Sequence, residues 1–105
     1  MNQEELQVAA FEIILNSGNA RATVHEAFSE MREGHYGEAE EKLELANTEL
    51  VEAHRAQTKL LQDYASGIEM KMEIIMVHAQ DHLMTTMTLR EVALEMLNLY
   101  RKIEQ

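Results

Sequence analysis

Residues 38–60 read EAEEKLELANTELVEAHRAQTKL, and this stretch decides the fold class. Between the glutamates, a second set of positions recurs at alternating steps of four and three residues. These positions hold apolar and small residues and one glutamine: Ala39, Leu43, Ala46, Leu50, Ala53, Gln57 and Leu60. Such spacing places one continuous seam along one side of an α-helix. The stretch is therefore predicted to be a helix that packs against two partner helices in a small bundle.

The residues before this stretch repeat the same spacing. Their seam consists of Leu6, Ala10, Ile13, Ser17, Ala20, Val24, Ala27 and Met31. We expect a helix from about residue 3 to residue 33, with a kink or brief break at Ser17-Gly18, where polar side chains and a glycine weaken the helix. Residues 34–37 are predicted to form the first turn, and Gly67 the second.

A third helix, predicted over roughly residues 71–102, carries two apolar stripes on opposite sides. One stripe contains Met72, Met76, Ala79, Leu83, Met87, Leu94 and Leu97. The other contains Ile74, Val77, Val92, Leu99 and Ile103, with Met96 at its edge. A helix in a single three-helix bundle needs only one buried stripe, so the second predicts an interface with another subunit. The fold class expected is all-α: an antiparallel three-helix bundle that assembles into an oligomer.

The amino-acid composition excludes several classes of protein. The 105 residues include no proline and no cysteine, and 19 acidic against nine basic residues give a net charge of −10. Without cysteine the chain can have neither a disulfide scaffold nor a thiolate site. Its negative charge disfavours nucleic-acid binding. No apolar run is long enough to span a bilayer and residues 1–5 lack the features of a secretory signal, so we expect a single cytoplasmic domain over residues 1–105.

The polar residues of the second stripe suggest a functional site. Asp81, Thr85 and Thr88 lie within the stripe, and His78 and His82 are i,i+4 neighbours beside it. A carboxylate inside an interface is costly unless it is paired or binds a cation. The residues alone leave three roles open: a phosphoryl carrier through a nucleophilic imidazole, a transition-metal site of His78, Asp81 and His82, or a purely structural histidine pair.

Four segments carry a resemblance to a known family. They are residues 16–21 (NSGNAR), 34–39 (GHYGEA), 52–60 (EAHRAQTKL) and 78–85 (HAQDHLMT). In content and order they resemble the lactose/cellobiose-type IIA component of the bacterial phosphoenolpyruvate-dependent sugar phosphotransferase system. The resemblance covers essentially the whole chain, and residues 78–85 are its most specific part.

This resemblance implies a function and a role for each site residue. His78 falls on the histidine that this family phosphorylates at Nε2, and His82 lies beside it, where it would orient or stabilise the phosphorylated ring. Asp81 falls on the aspartate that three subunits contribute to one Mg²⁺ on the axis of a homotrimer. The chain would be a phosphotransferase component: it would accept the phosphoryl group from the carrier protein HPr and pass it to a cysteine of the IIB component, for disaccharide uptake through the IIC membrane transporter.

Three further residues belong to the resembling segments but receive no firm role. Gln80 projects to the polar flank of the third helix. Gln57 lies on the seam of the second helix, one turn from His54, and a buried amide usually belongs to a satisfied hydrogen-bond network. We therefore favour a structural role for Gln57 over contact with a phosphoryl group. The transported sugar is not specified by any residue pattern.

Overall fold

The computed structural model describes residues 2–104, which form three helices. They are α1 (Gln3–Arg32), α2 (Tyr36–Ala65) and α3 (Ile74–Glu104). Lys42 of α2 pairs with Glu26 of α1, whereas Arg101 near the end of α3 pairs with Glu40 near the start of α2. The helices therefore run up, down and up, and the bundle is a rod of 54 × 20 × 18 Å. The prediction of an all-α, antiparallel three-helix bundle is confirmed.

Two glycines end the first two helices, as predicted. Gly34 has φ of 81° and Gly67 has φ of 94°, the left-handed region in which a side chain would be strained. At the first turn the N–H of Gly34 donates to the carbonyl of Met31 and that of His35 to the carbonyl of Glu30. The equivalent bonds follow Gly67. This pairing closes both helices by satisfying their last carbonyls.

The seams predicted for α1 and α2 form the core. Every residue of both seams is buried, including the polar Ser17 and Gln57. Ala10, Ala20, Ala27, Ala39, Ala46 and Ala53 are fully buried. Because these side chains are small, they allow the helix backbones to approach closely, and the larger Ile13, Leu43 and Leu83 fill the space between them.

Three predicted boundaries were wrong. First, α1 has no break, because it is helical throughout Gln3–Arg32. The Asn16 side chain donates to the carbonyl of Glu12 inside the same helix, and burial of the surrounding seam outweighs the weak helix propensity of residues 16–19. Second, α2 already begins at Tyr36, so the first turn is shorter than predicted. Third, α3 begins at Ile74 rather than near residue 71 and continues to Glu104.

The two faces of α3 have different surroundings. Its buried residues are Met76, Ala79, Leu83, Thr86, Ala93 and Leu97. Met87 and Leu94 of the predicted inner stripe are only partly buried, and Met72 is exposed because it precedes the helix. The second stripe is exposed in the single chain, with exposed fractions of Ile74 89%, Val77 56%, Val92 49%, Leu99 58% and Ile103 71%.

Candidate functional site

His78 and His82 form a stacked pair on the second and third turns of α3. Their ring centroids are 5.9 Å apart and the ring planes differ by 14°. His78 is exposed, whereas His82 is half-buried towards α1. The i,i+4 spacing brings the two rings to the same face of the helix, as predicted. The pair thus presents one accessible imidazole, supported on one side by a second ring that the bundle holds.

The His82 ring lies against α1 at Gly18. A Cβ atom at Gly18 would lie 3.7 Å from Nε2 of His82, an ordinary van der Waals distance. Burial lowers the pKa of His82, and the positive charge of Arg21 and the neighbouring His78 lower it further, against the opposing effect of the Asp81 carboxylate. His82 is therefore held more strongly in its neutral form than a histidine in solution.

Arg21 connects α1 to the site on α3. Its Nε donates to Oγ1 of Thr86 at 3.1 Å, and its Nη2 donates to Oγ1 of Thr85 at 2.6 Å. Thr86 in turn donates to the backbone carbonyl of His82 at 2.7 Å, and Thr85 to that of Asp81 at 2.8 Å. A continuous set of hydrogen bonds therefore joins a guanidinium on α1 to the turn that carries the site residues.

Arg21 was not predicted to be a member of this site. Residues 16–21 stand out in the sequence only as a point of family resemblance, and a single arginine in a helix produces no periodic signal. The contact depends on the parallel register of α1 and α3, which brings residue 21 level with residues 85 and 86. One signal was present: Arg21 is one of only nine basic residues in a chain of net charge −10.

Asp81 lies on the outer, exposed side of α3, in the apolar stripe as predicted. Val77 precedes it by one turn, and Thr85 follows it by one turn. Within residues 2–104 the carboxylate of Asp81 accepts no hydrogen bond and forms no ion pair. A carboxylate in this setting is a hard oxygen donor available to a cation or to another subunit.

The described residues do not form a metal site within one chain. Among residues 2–104, no three His, Cys, Asp or Glu side chains are grouped as metal ligands would be. The alternative in which His78, Asp81 and His82 together bind a transition metal therefore gains no support from the geometry. The stacked arrangement of the two imidazoles turns their faces, not their nitrogen lone pairs, towards each other.

The remaining residues of the resembling segments lie elsewhere. His54 is exposed and lines a groove of about 620 Å³ between α2 and α3, together with Arg55, Lys59 and Arg90. Gln57 is buried on the α2 seam, and the structural role favoured for it stays a prediction. Gln80 lines a smaller groove of about 440 Å³ with Tyr64, Met70 and Met72. Neither groove is lined by His78 or His82.

Within residues 2–104, no helix has the length and apolar character needed to cross a bilayer. The molecule is a three-helix bundle with a histidine pair near one end, of which His78 is exposed and His82 half-buried, and with an apolar outer stripe beside the pair. The fold and site therefore define a class of small all-α bundles that carry a histidine site on one helix.

Comparison with known proteins identifies the family. Residues 8–101 match the family described as "PTS system, Lactose/Cellobiose specific IIA subunit". The lichenan-specific phosphotransferase enzyme IIA component of Bacillus subtilis is 44% identical over 97% of this chain and 93% of that relative. The chain belongs to this family: it is a IIA component of lactose/cellobiose type of a sugar phosphotransferase system.

Solved structures agree with this assignment. The crystal structure of PtcA from S. mutans is 76% identical, with a TM-score of 0.96 over 96% of this chain and 99% of that one. The solution structure of an Escherichia coli complex, IIA(Chitobiose)–HPr of the N,N'-diacetylchitobiose branch, is 35% identical, with a TM-score of 0.82 over 95% of this chain and 97% of that one. The family resemblance of the sequence is therefore confirmed.

Proposed function

We propose that this protein carries a phosphoryl group on His78, receives it from the phosphohistidine of HPr and passes it to a cysteine of the IIB component. The observation that carries the proposal is the stacked pair: His78 is exposed to a partner, and the His82 ring lies nearly parallel to it with the ring centroids 5.9 Å apart. Family membership and the E. coli neighbour, whose structure is a complex with HPr, support HPr as the donor.

The proposed transfer exchanges one P–N bond for another. A ring nitrogen of neutral His78 attacks the phosphorus with its lone pair, and the donor imidazole leaves with the electron pair of the broken bond. The other ring nitrogen of His78 releases a proton while the departing imidazole takes one up. In the second step a thiolate of the partner attacks phosphorus and His78 becomes the leaving group. This chain contains no cysteine, so the thiol belongs to the partner.

Local donors must offset the charge of the carried group. The phosphoryl group adds negative charge to a chain that already has a net charge of −10. In its neutral form, which the lowered pKa favours, His82 has one ring N–H that can donate to a phosphoryl oxygen. Arg21 adds positive charge on the α1 side of His82, where it is bonded to Thr85 and Thr86. These two groups give the site a local environment that differs from the acidic surface around it.

We further propose that the outer stripe of α3 forms the interface of a homotrimer. Burying Val77, Val92 and Leu99 against other copies would remove a long apolar stripe from water. Each copy would then contribute one Asp81 carboxylate to a shared Mg²⁺ on the trimer axis, since hard cations prefer oxygen ligands. The cation would offset the mutual repulsion of these carboxylates, and it takes no part in the transfer. Disaccharide uptake through a IIC transporter is the proposed physiological context.

The test is the intact mass of the protein after incubation with phosphoenolpyruvate, enzyme I and HPr. Wild type is expected to gain one acid-labile phosphoryl group, and His78→Ala none. His54→Ala is the matched control, because His54 is also an exposed histidine in a helix but lies on α2, and it should gain the group normally. Adding the IIB partner should remove the group from wild type.

Two outcomes would contradict the proposal. If wild type gains no phosphoryl group while HPr is shown to be phosphorylated in the same tube, the carrier role is wrong. If His78→Ala still gains the group and His54→Ala does not, the carrier role stands but the site is misplaced.

A further inference from the structure

Arg21 holds an unusual position for a surface arginine. It is half-buried, and its guanidinium donates through two different nitrogens to two adjacent threonines of another helix. Among residues 2–104 its acceptors are two neutral hydroxyls, which cannot neutralise its charge. Thr86 is fully buried, so this acceptor is fixed in the bundle.

The two threonines transmit this contact to the site. Each hydroxyl accepts from Arg21 and donates to a backbone carbonyl one turn earlier, Thr86 to His82 and Thr85 to Asp81. The arrangement fixes the turn of α3 that begins at Asp81 relative to α1. On the same side, Gly18 of α1 lies against the His82 ring, so any shift of this turn would change the distance between the ring and α1.

We propose that Arg21 is a positioning residue of the carrier site: through Thr85 and Thr86 it fixes the turn that carries His82, and thereby the ring that stacks on His78. The inference rests on the proposed function of His78. Arg21 acts through His82 rather than on the phosphoryl group, because its hydrogen bonds end about two helical turns beyond His78.

The geometry requires an arginine rather than any cation. A guanidinium offers several N–H donors in a rigid plane, so it can engage two acceptors at once. A lysine would keep the charge but has a flexible stem and one nitrogen, and it cannot reproduce the pair of contacts. Comparing Arg21→Lys with Arg21→Gln therefore separates the position of the ring from the charge near it.

The first readout is the NMR signals of the His78 and His82 ring C–H groups, recorded at one fixed alkaline pH without phosphoryl donor. Stacked rings shift each other's signals through their ring currents. Arg21→Gln and Arg21→Lys are both expected to reduce these mutual shifts. Arg32→Gln is the control, since Arg32 is another arginine of α1 whose side chain bonds to Ser29 of the same helix, and it should leave the shifts unchanged.

The second readout is the rate of phosphoryl transfer from phospho-HPr over a range of HPr concentrations. A misplaced ring is expected to lower the turnover rate kcat roughly 10- to 100-fold while KM for HPr stays near its wild-type value. Lysine at this position should restore little of the rate. Arg32→Gln should transfer at the wild-type rate.

Several results would overturn the inference. Unchanged ring shifts in both Arg21 variants would do so, and so would an increase in KM alone, which would place Arg21 in the HPr contact. Full rescue of the transfer rate by Arg21→Lys would show that only the charge matters.

A second variant covers the case in which the Arg21 variants do not fold. Thr85→Val removes one acceptor from an exposed residue and should show a smaller change in both readouts. No change in either readout would refute the inference. Failure of the wild type to gain a phosphoryl group would refute the proposed function, whereas the ring shifts test the positioning independently of it.

Discussion

The inner and outer faces of α3 carry similar apolar side chains in opposite surroundings. On the inner face Leu83 and Leu97 are buried in the bundle, whereas on the outer face Leu99 and Val92 are about half exposed. The outward side of α2 offers a second contrast, because glutamate is the commonest residue among its exposed positions. An outer face made of aliphatic residues contributes little to the stability of one chain. The comparison shows that α3 has two apolar faces: the inner face forms part of the core, and the outer face is left for the subunit interface proposed above.

The largest effect is expected from truncating the inner face. Leu83→Ala should lower the free energy of unfolding by about 2–5 kcal/mol, because it removes a fully buried side chain and leaves a cavity. The measurement is urea unfolding followed by circular dichroism, at several protein concentrations. Leu99→Ala is the matched change on the outer face of the same helix.

The two leucines should also differ in concentration dependence. Leu83→Ala should lower the free energy of unfolding at every protein concentration. Leu99→Ala should cost little at low concentration, where single chains dominate, and more at high concentration, where assembly contributes to stability. Equal and concentration-independent losses would remove the distinction between the two faces.

The next effect concerns assembly itself. Leu99→Glu should weaken association at least about tenfold, roughly 1.4 kcal/mol, because it places a charge in an apolar interface. Leu45→Glu on α2 is the control: Leu45 is 49% exposed but lies among glutamates. Sedimentation equilibrium measures both. If the two variants associate equally well, the outer face of α3 is not the subunit interface.

A smaller change is expected when Asp81 is replaced within that face. Asp81→Leu should leave trimer association unchanged or strengthen it by on the order of 1 kcal/mol, since apolar side chains would replace facing carboxylates. Association of wild type should weaken when a chelator removes divalent cations, and association of the variant should not. Sedimentation of Asp81→Leu only as monomers would contradict an apolar account of assembly.

The sequence predicted those parts of the fold in which buried residues recur with helical spacing. Every predicted seam position of α1 and α2 is buried, although Thr23 and Asp63 are buried as well and were not predicted. The outer stripe of α3 was predicted to lie outside the core of one bundle, and it is exposed in the single chain. The inner face of α3 was predicted less well, because two of its buried positions are Thr86 and Ala93. Neither is a large apolar residue, so each is visible only once the helix is packed. The prediction of a break in α1 was wrong for a related reason: it gave the weak helix propensity of residues 16–19 too much weight against the burial of the seam.

The sequence predicted the site residues that lie on one helix, but not the residues that a second helix adds to the site. The relation of His78 to His82 follows from helical spacing, which is a local property. The contributions of Gly18 and Arg21 depend on the register between α1 and α3, and no pattern within either helix specifies that register. Whether His78 is phosphorylated and whether Asp81 binds a cation are chemical questions that helical spacing leaves as predictions.

The smallest expected effect lies at His82, on the boundary between the two faces. Its pKa in the folded protein is lowered, first by burial and then by Arg21 and His78. Between the lowered value and the ordinary value of about 6.5, the unfolded chain binds more protons than the folded one. Stability contributed by neutral His82 is therefore present above this window and is lost as the pH falls through it. The loss should be small because the ring is partly exposed to solvent.

His82→Gln isolates this contribution, because glutamine does not titrate. Urea unfolding of both proteins, with a chelator present, should show that wild type loses more stability than the variant between neutral and mildly acidic pH. The rest of the sequence is identical in the two proteins, so the difference between them reports on position 82. An identical loss in the two proteins would mean that α1 does not hold His82 in its neutral form, and the boundary position would then behave like the open outer face rather than like the core.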